Sequence, residues 1–113
     1  MWYNKYVMKR QHIPDFFKSV LWSYDIGRMD ARDDMRVIVV QTINSGEWKH
    51  WRWILRTYGK YLIRHLVAGI PASEFRPEAL ALASAAFGVK KMKYASRSAY
   101  IRAQKSLAKT EEF

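Results

Sequence analysis

An all-α fold is expected, a compact bundle of five to six short helices with a basic C-terminal helix. Three observations lead to it. The five glycines and three prolines fall mostly between segments of helical periodicity. Apolar residues recur three and four apart rather than in alternation. Half of the 113 residues are hydrophobic and 15% are aromatic, enough apolar surface to offset chain entropy and exclude a wholly disordered chain.

Length allows a single core. Residues 1–12 carry Trp2, Tyr3, Tyr6, Val7 and Met8 without a clear period and read as an aromatic arm. Residues 13–89 read as the helical bundle, and 90–113 as a basic amphipathic helix and tail. Pro14 suits a first helical turn, with Asp15 at the positive dipole end and Phe16, Phe17, Val20 and Leu21 as the apolar face, so a helix is placed over 14–22. Asp30 is a good N-cap for a helix from Ala31 to Asn44, whose face is Met35, Ile38, Val39, Thr42 and Ile43 and whose stop is Asn44-Ser45-Gly46.

The strongest pattern follows. Trp48, Trp51, Leu55, Tyr58 and Leu62 step along one helical face and are expected in the core, with Trp53 off that seam and exposed. Gly59 is expected to close this helix in a left-handed conformation, before a shorter helix from Lys60 to Ala68. After Gly69-Ile70-Pro71, a helix from Pro77 to Phe87 ends at Gly88. Its alanines allow close approach of neighbours.

Twenty Lys and Arg against ten Asp and Glu give a net charge of +10, favouring anionic partners. Lys90, Lys91, Lys93, Arg97, Arg102, Lys105 and Lys109 supply seven cations between 90 and 109 with no acid among them. On a helix, Arg102, Lys105 and Lys109 project opposite Ala99, Tyr100, Ala103, Leu107 and Ala108. Such a face neutralises phosphates or lies against an acidic protein. Trp53 with Arg52 or Arg56 is a second candidate contact, for a partner or a stacked base. Trp2, Tyr3, Tyr6, Tyr100 and Ile101 are candidate apolar anchors.

Enzymatic chemistry finds little support in this pattern. The chain has no cysteine, so thiol catalysis, disulfides and Cys-ligated metals are excluded. His12, His50 and His65 lack the spacing that puts two ligands on one helical face. Asp33-Asp34 and Glu111-Glu112 are adjacent and diverge on a helix, and no serine has a nucleophile-elbow context. No catalytic residue, metal or cofactor is expected. Helix-turn-helix spacing exists between Lys60 and Phe87, but EALALASAAF offers few polar side chains to base edges. The longest apolar runs are far too short to cross a membrane, and a cytoplasmic protein without membrane contact is expected.

Three strings carry a resemblance: LWSYDIGRMD from Leu21 to Asp30, GEWKHWRWILRTYGKYLIRHL from Gly46 to Leu66, and FGV from Phe87 to Val89. Together they resemble a small bacterial and archaeal helical domain of unknown function, often encoded beside nucleotidyltransferase toxins of the abortive-infection type. The match covers about residues 20–89, and Gly46-Glu47-Trp48 followed by Trp51, Trp53, Leu55, Tyr58 and Gly59 is its most specific part. The helix before FGV is more alanine-rich here than in relatives. The resemblance implies the antitoxin or accessory partner of such a toxin, acting by protein contact rather than chemistry. With the charge pattern, the expectation is a non-enzymatic protein that masks an acidic or nucleotide-binding surface of its partner, and autoregulatory DNA binding by the same basic face is compatible with it. The rival expectation is a nucleic-acid-binding module, for DNA or RNA, using the C-terminal helix and Trp53.

Overall fold

A computed structural model describes the backbone of residues 11–111 and the side chains of 11–96 and 98–105. All regular structure among the described residues is helical. Five α-helices lie among the described residues: α1 (Met35–Ser45), α2 (Trp48–Tyr58), α3 (Lys60–Ala68), α4 (Pro77–Phe87) and α5 (Arg97–Glu111). Three short 3-10 helices, Asp15–Ser19, Ile26–Arg28 and Ala72–Glu74, punctuate the connections. Two compact units divide the chain, one up to Ile63 and the other from Arg64 onward, with the boundary inside α3.

In the first unit, Pro14 precedes a 3-10 helix rather than the α-helix expected over 14–22. Five residues and an N–H from Val20 back to Phe17 make the whole element. Phe17, Val20 and Leu21 are buried as expected, while Phe16 is partly exposed. The α1 helix begins at Met35, four residues after the expected start, because Ala31 to Asp34 form turns around the Asp30 carboxylate. That carboxylate accepts from the N–H groups of Arg32 and Asp33 at 3.1 and 3.0 Å and so holds the turn, but Asp30 is not the helix cap expected of it: the N-cap of α1 is Asp34, whose side chain accepts from Asp30 N–H at 2.8 Å. The inward face of α1 is Ile38, Val39, Thr42 and Ile43, as its spacing predicts, with Val40 buried too and Met35, expected on the same face, only half-buried.

Gly59 separates α2 from α3. Its φ of 85° is positive as expected, but its ψ of 150° places it outside the left-handed helical basin, in a region essentially open to glycine alone. The chain is thereby extended for one residue, and α3 restarts with Ile63 N–H bonding Gly59 C=O at 3.1 Å.

In the second unit, α4 has the bounds its sequence predicts. Pro77 occupies the first turn, and Gly88 terminates the helix in the left-handed conformation with φ 75° and ψ 30°. Ala79, Ala83 and Phe87 form its buried stripe, four residues apart. The segment after Gly88 is not helical until Arg97, unlike the continuous basic helix expected from residue 90. It runs back along the α3–α4 connection instead: Lys93 N–H donates to Ala68 C=O at 3.0 Å, and Ala72 N–H to Tyr94 C=O at 2.9 Å. Those backbone bonds compete with helical ones for the same groups. No described helix is long and apolar enough to cross a membrane.

Candidate nucleic-acid interface

The orientation of α2 is set at its first turn. Gly46 sits where an added Cβ would lie 2.6 Å from the Thr42 carbonyl oxygen and 3.1 Å from the His50 Cβ, so the end of α1 and the start of α2 approach more closely than a side chain allows. Glu47 N–H then donates to His50 Nδ1 at 2.9 Å, satisfying one of the orphan donors of the helix start. With Nδ1 accepting, the proton of the neutral ring belongs on Nε2, which faces the Phe16 carbonyl at 2.9 Å and the Ser19 hydroxyl at 3.4 Å. His50 is fully buried, and its ring packs edge-on against Phe17 with centroids 4.9 Å apart.

This histidine decides which face of α2 turns inward. From His50 the buried positions are Ile54 and Tyr58, four residues apart. The expected seam of Trp48, Trp51, Leu55 and Tyr58 is therefore corrected: Tyr58 is buried and Trp51 half-buried, but Trp48 is 69% exposed and Leu55 43% exposed. A fully hydrogen-bonded imidazole occupies the inward position that hydropathy assigns to tryptophan.

Trp53 is likewise corrected. It is half-buried, with its ring 5.0 Å from Phe17 and 5.9 Å from Tyr58, edge-on to both. Its role is packing within the first unit. Arg52 and Arg56, its expected companions, are exposed on the outer face with Trp48.

That outer face has a definite composition. The Arg52 guanidinium lies over the Trp48 ring, 5.8 Å from its centroid. Lys49 Nζ lies 5.9 Å from the Phe16 centroid and 3.9 Å from a Glu47 carboxylate oxygen, both in exposed surroundings. Leu55 and Arg56 continue the face toward the helix C-terminus. No acidic residue occurs between Trp48 and Ser73.

In the second unit, Lys90, Lys91, Lys93, Arg102 and Lys105 are all exposed. The first three lie on the non-helical stretch and the last two on α5, so one amphipathic helix does not carry them all. Tyr100 and Ile101, candidate anchors, are exposed on α5, and Tyr94 packs edge-on against Tyr100 at 5.0 Å. The α5 helix contacts the Ala72–Glu74 turn. Trp2, Tyr3 and Tyr6 lie outside the described residues, as do the side chains of Arg97 and Lys109.

Among the described residues, no group of three His, Asp or Glu side chains is placed to hold a metal ion. His12 and His65 are exposed, and both nitrogens of His50 face structural partners. The Asp30 carboxyl is held below its usual range, chiefly by the Asp33 N–H and, against a desolvation cost, by the N–H groups of Gln11 and Arg32 and the Arg32 charge. Its partners are structural ones, the N–H groups of the turn before α1 and of Gln11. An open cleft of about 680 Å³ that the sequence does not announce lies in the first unit, lined by His12, Asp15, Lys18, Trp22, Tyr24 and Asp25 among others. Trp22 is 83% exposed there, and the only sequence signal is its place on a short polar turn.

Residues 16–67 are similar to a family of unknown function, DUF6922. That span holds α1, α2 and most of α3, and with them the Gly46 corner and the outer face of α2. No curated protein and no solved structure matches the chain.

Proposed function

We propose that this protein is a nucleic-acid-binding module. One observation carries the reading: from residue 79 to 110 the chain has no acid, and the described cations of that stretch, Lys90, Lys91, Lys93, Arg102 and Lys105, all have their charges in solvent. Cations without intramolecular acidic partners keep their full attraction for a polyanion, and each phosphate they neutralise releases condensed counterions. Ser19 lies 3.4 Å from His50 Nε2, but that nitrogen also faces the Phe16 carbonyl at 2.9 Å, and binding is the activity proposed. The test is binding of fluorescein-labelled random oligonucleotides across a salt series. The expected plot of log affinity against log salt has a slope of several charges, reduced by roughly two in an Arg102→Glu, Lys105→Glu chain. Absence of salt-dependent binding overturns the proposal.

A second reading is favoured by Tyr100 and Ile101, which are exposed beside Arg102 and Lys105. An aromatic and an aliphatic side chain flanked by cations suit an acidic protein surface, with the apolar contact giving affinity and the charges steering. This is the antitoxin-like role, in which the partner is a toxin-like protein. It requires salt-tolerant binding to that one protein, lost on Tyr100→Ala with Ile101→Ala.

A further inference from the structure

We infer that the outer face of α2 is a stacking site for an unpaired base of single-stranded nucleic acid, with Trp48 as the platform and Arg52, Lys49 and Arg56 as the phosphate contacts. The inference rests on the nucleic-acid reading above and names the substrate class and a site within the first unit.

Trp48 is the starting point. A tryptophan left 69% exposed on a regular helix forgoes the burial its ring would otherwise gain, and here the inward register is already taken by His50, Ile54 and Tyr58. The exposure follows from the hydrogen bonds that lock His50 to Glu47 and Phe16, so it is a property of the fold rather than of one rotamer. A large flat ring is thus held at the surface by a rigid element.

Its surroundings select the ligand. Arg52 lies over the ring at 5.8 Å, in the cation–π arrangement in which a guanidinium both stacks and keeps its donors for a phosphate. Arg56 follows one turn later, and Lys49 adds a third cation at the helix start. The face from Trp48 to Arg56 spans about 12 Å along the axis at 1.5 Å per residue. Apart from Glu47 at its edge, no acid interrupts the sequence until Glu74, so the surface complements a phosphate chain. Bases within a duplex are already stacked on one another and offer the ring nothing. An unpaired base has a free π-face, and a cationic groove with an exposed aromatic is the arrangement that takes single strands with little regard to sequence.

The experiment measures affinity of the full chain for a labelled oligo-dT strand and for a hairpin duplex of the same phosphate count. Four variants are compared with the parent: Trp48→Ala, Trp48→Leu, Trp48→Phe, and Arg102→Glu with Lys105→Glu. Unchanged circular dichroism and unfolding midpoint are expected for the Trp48 variants because the ring is exposed. Trp48→Ala and Trp48→Leu are expected to weaken oligo-dT binding on the order of tenfold and duplex binding less than twofold, with Trp48→Phe retaining most of the affinity. Trp48→Leu carries the test if Trp48→Ala does not fold. Equal loss for strand and duplex, or no loss for either, overturns the stacking site. If the parent then still binds and the Arg102, Lys105 variant does not, the nucleic-acid reading survives without it. A parent chain that binds neither probe overturns both. Binding of poly-glutamate that equals oligo-dT and shows the same dependence on Trp48 assigns the face to an acidic peptide and overturns the inference.

Discussion

The phenol of Tyr58, in the last turn of α2, donates a 2.6 Å hydrogen bond to the carbonyl oxygen of Ala31, 27 residues earlier and fully buried. Ala31 in turn donates its N–H to Gln11 C=O at 3.0 Å, and Gln11 N–H donates to the Asp30 carboxylate at 2.8 Å. Three distant segments of the first unit thus meet at the turn that introduces α1. Tyr58→Phe keeps the ring and its edge-on contact with Trp53 but leaves the buried Ala31 carbonyl without this donor. A loss of about 1–3 kcal/mol is expected, read as a lower urea midpoint at unchanged slope. A midpoint equal to that of the parent refutes the role assigned to this bond.

The close corner between α1 and α2 makes a second prediction. In Gly46→Ala the new methyl meets the Thr42 carbonyl oxygen at 2.6 Å, and that oxygen is backbone, accepting from Gly46 N–H. Neither atom can rotate away, so one helix end must move. Destabilisation of about 1–3 kcal/mol is expected. Gly69→Ala is the control, since its Cβ would meet nothing closer than 3.6 Å. That change is expected to be neutral or stabilising by up to about 1 kcal/mol. Similar losses in the two variants, measured by thermal unfolding, contradict the steric account.

These two sites show what the chain order reveals and what it hides. The bounds of α4 were legible because Pro77 and Gly88 act through their own backbone preferences, which no distant residue alters. The face of α1 was legible because Ile38, Val39 and Ile43 recur at helical spacing and the polar residue among them, Thr42, is small and β-branched. The face of α2 was not. Periodicity ranks Trp48 and Leu55 above His50 for burial, yet His50 gains partners on both nitrogens from Glu47 and from the 3-10 helix 34 residues away. A bond to a distant carbonyl has no local signature, and it turned two tryptophan expectations around: Trp48 out to solvent, Trp53 toward Phe17. The cations at 90–105 were legible as charge, but their division between an irregular stretch and α5 depends on the backbone bonds of Lys93 and Tyr94 to the α3–α4 connection.

Acid sensitivity follows from Asp30. Its folded pKa lies below the ordinary aspartate value, first because of the Asp33 N–H, so the unfolded chain takes up the proton at higher pH than the folded one. The stability it contributes is therefore fully present above pH ~4, the unfolded value, and is lost as pH falls through the lower folded value. Asp30→Asn is expected to be less stable than the parent at pH 7, and the gap between the two urea midpoints is expected to narrow toward pH 2.5. A gap of constant size across that range argues that the carboxylate charge contributes nothing at this turn.

The last prediction concerns a polar atom that the core leaves unpaired. Thr42 is fully buried on α1, and its hydroxyl has no hydrogen-bond partner among the described residues. Burying an unpartnered hydroxyl costs about 1–3 kcal/mol by protein mutational measures. Valine has the same branched shape, so the substitution exchanges the hydroxyl for a methyl on a side chain that is stiff at χ1 in both cases. The bond from Gly46 N–H to the Thr42 carbonyl is backbone and survives the change. Thr42→Val is therefore expected to raise stability by about 1 kcal/mol, against the common tendency of core substitutions to lower it. Urea unfolding decides the matter: a midpoint below that of the parent means that the hydroxyl is engaged in the folded protein.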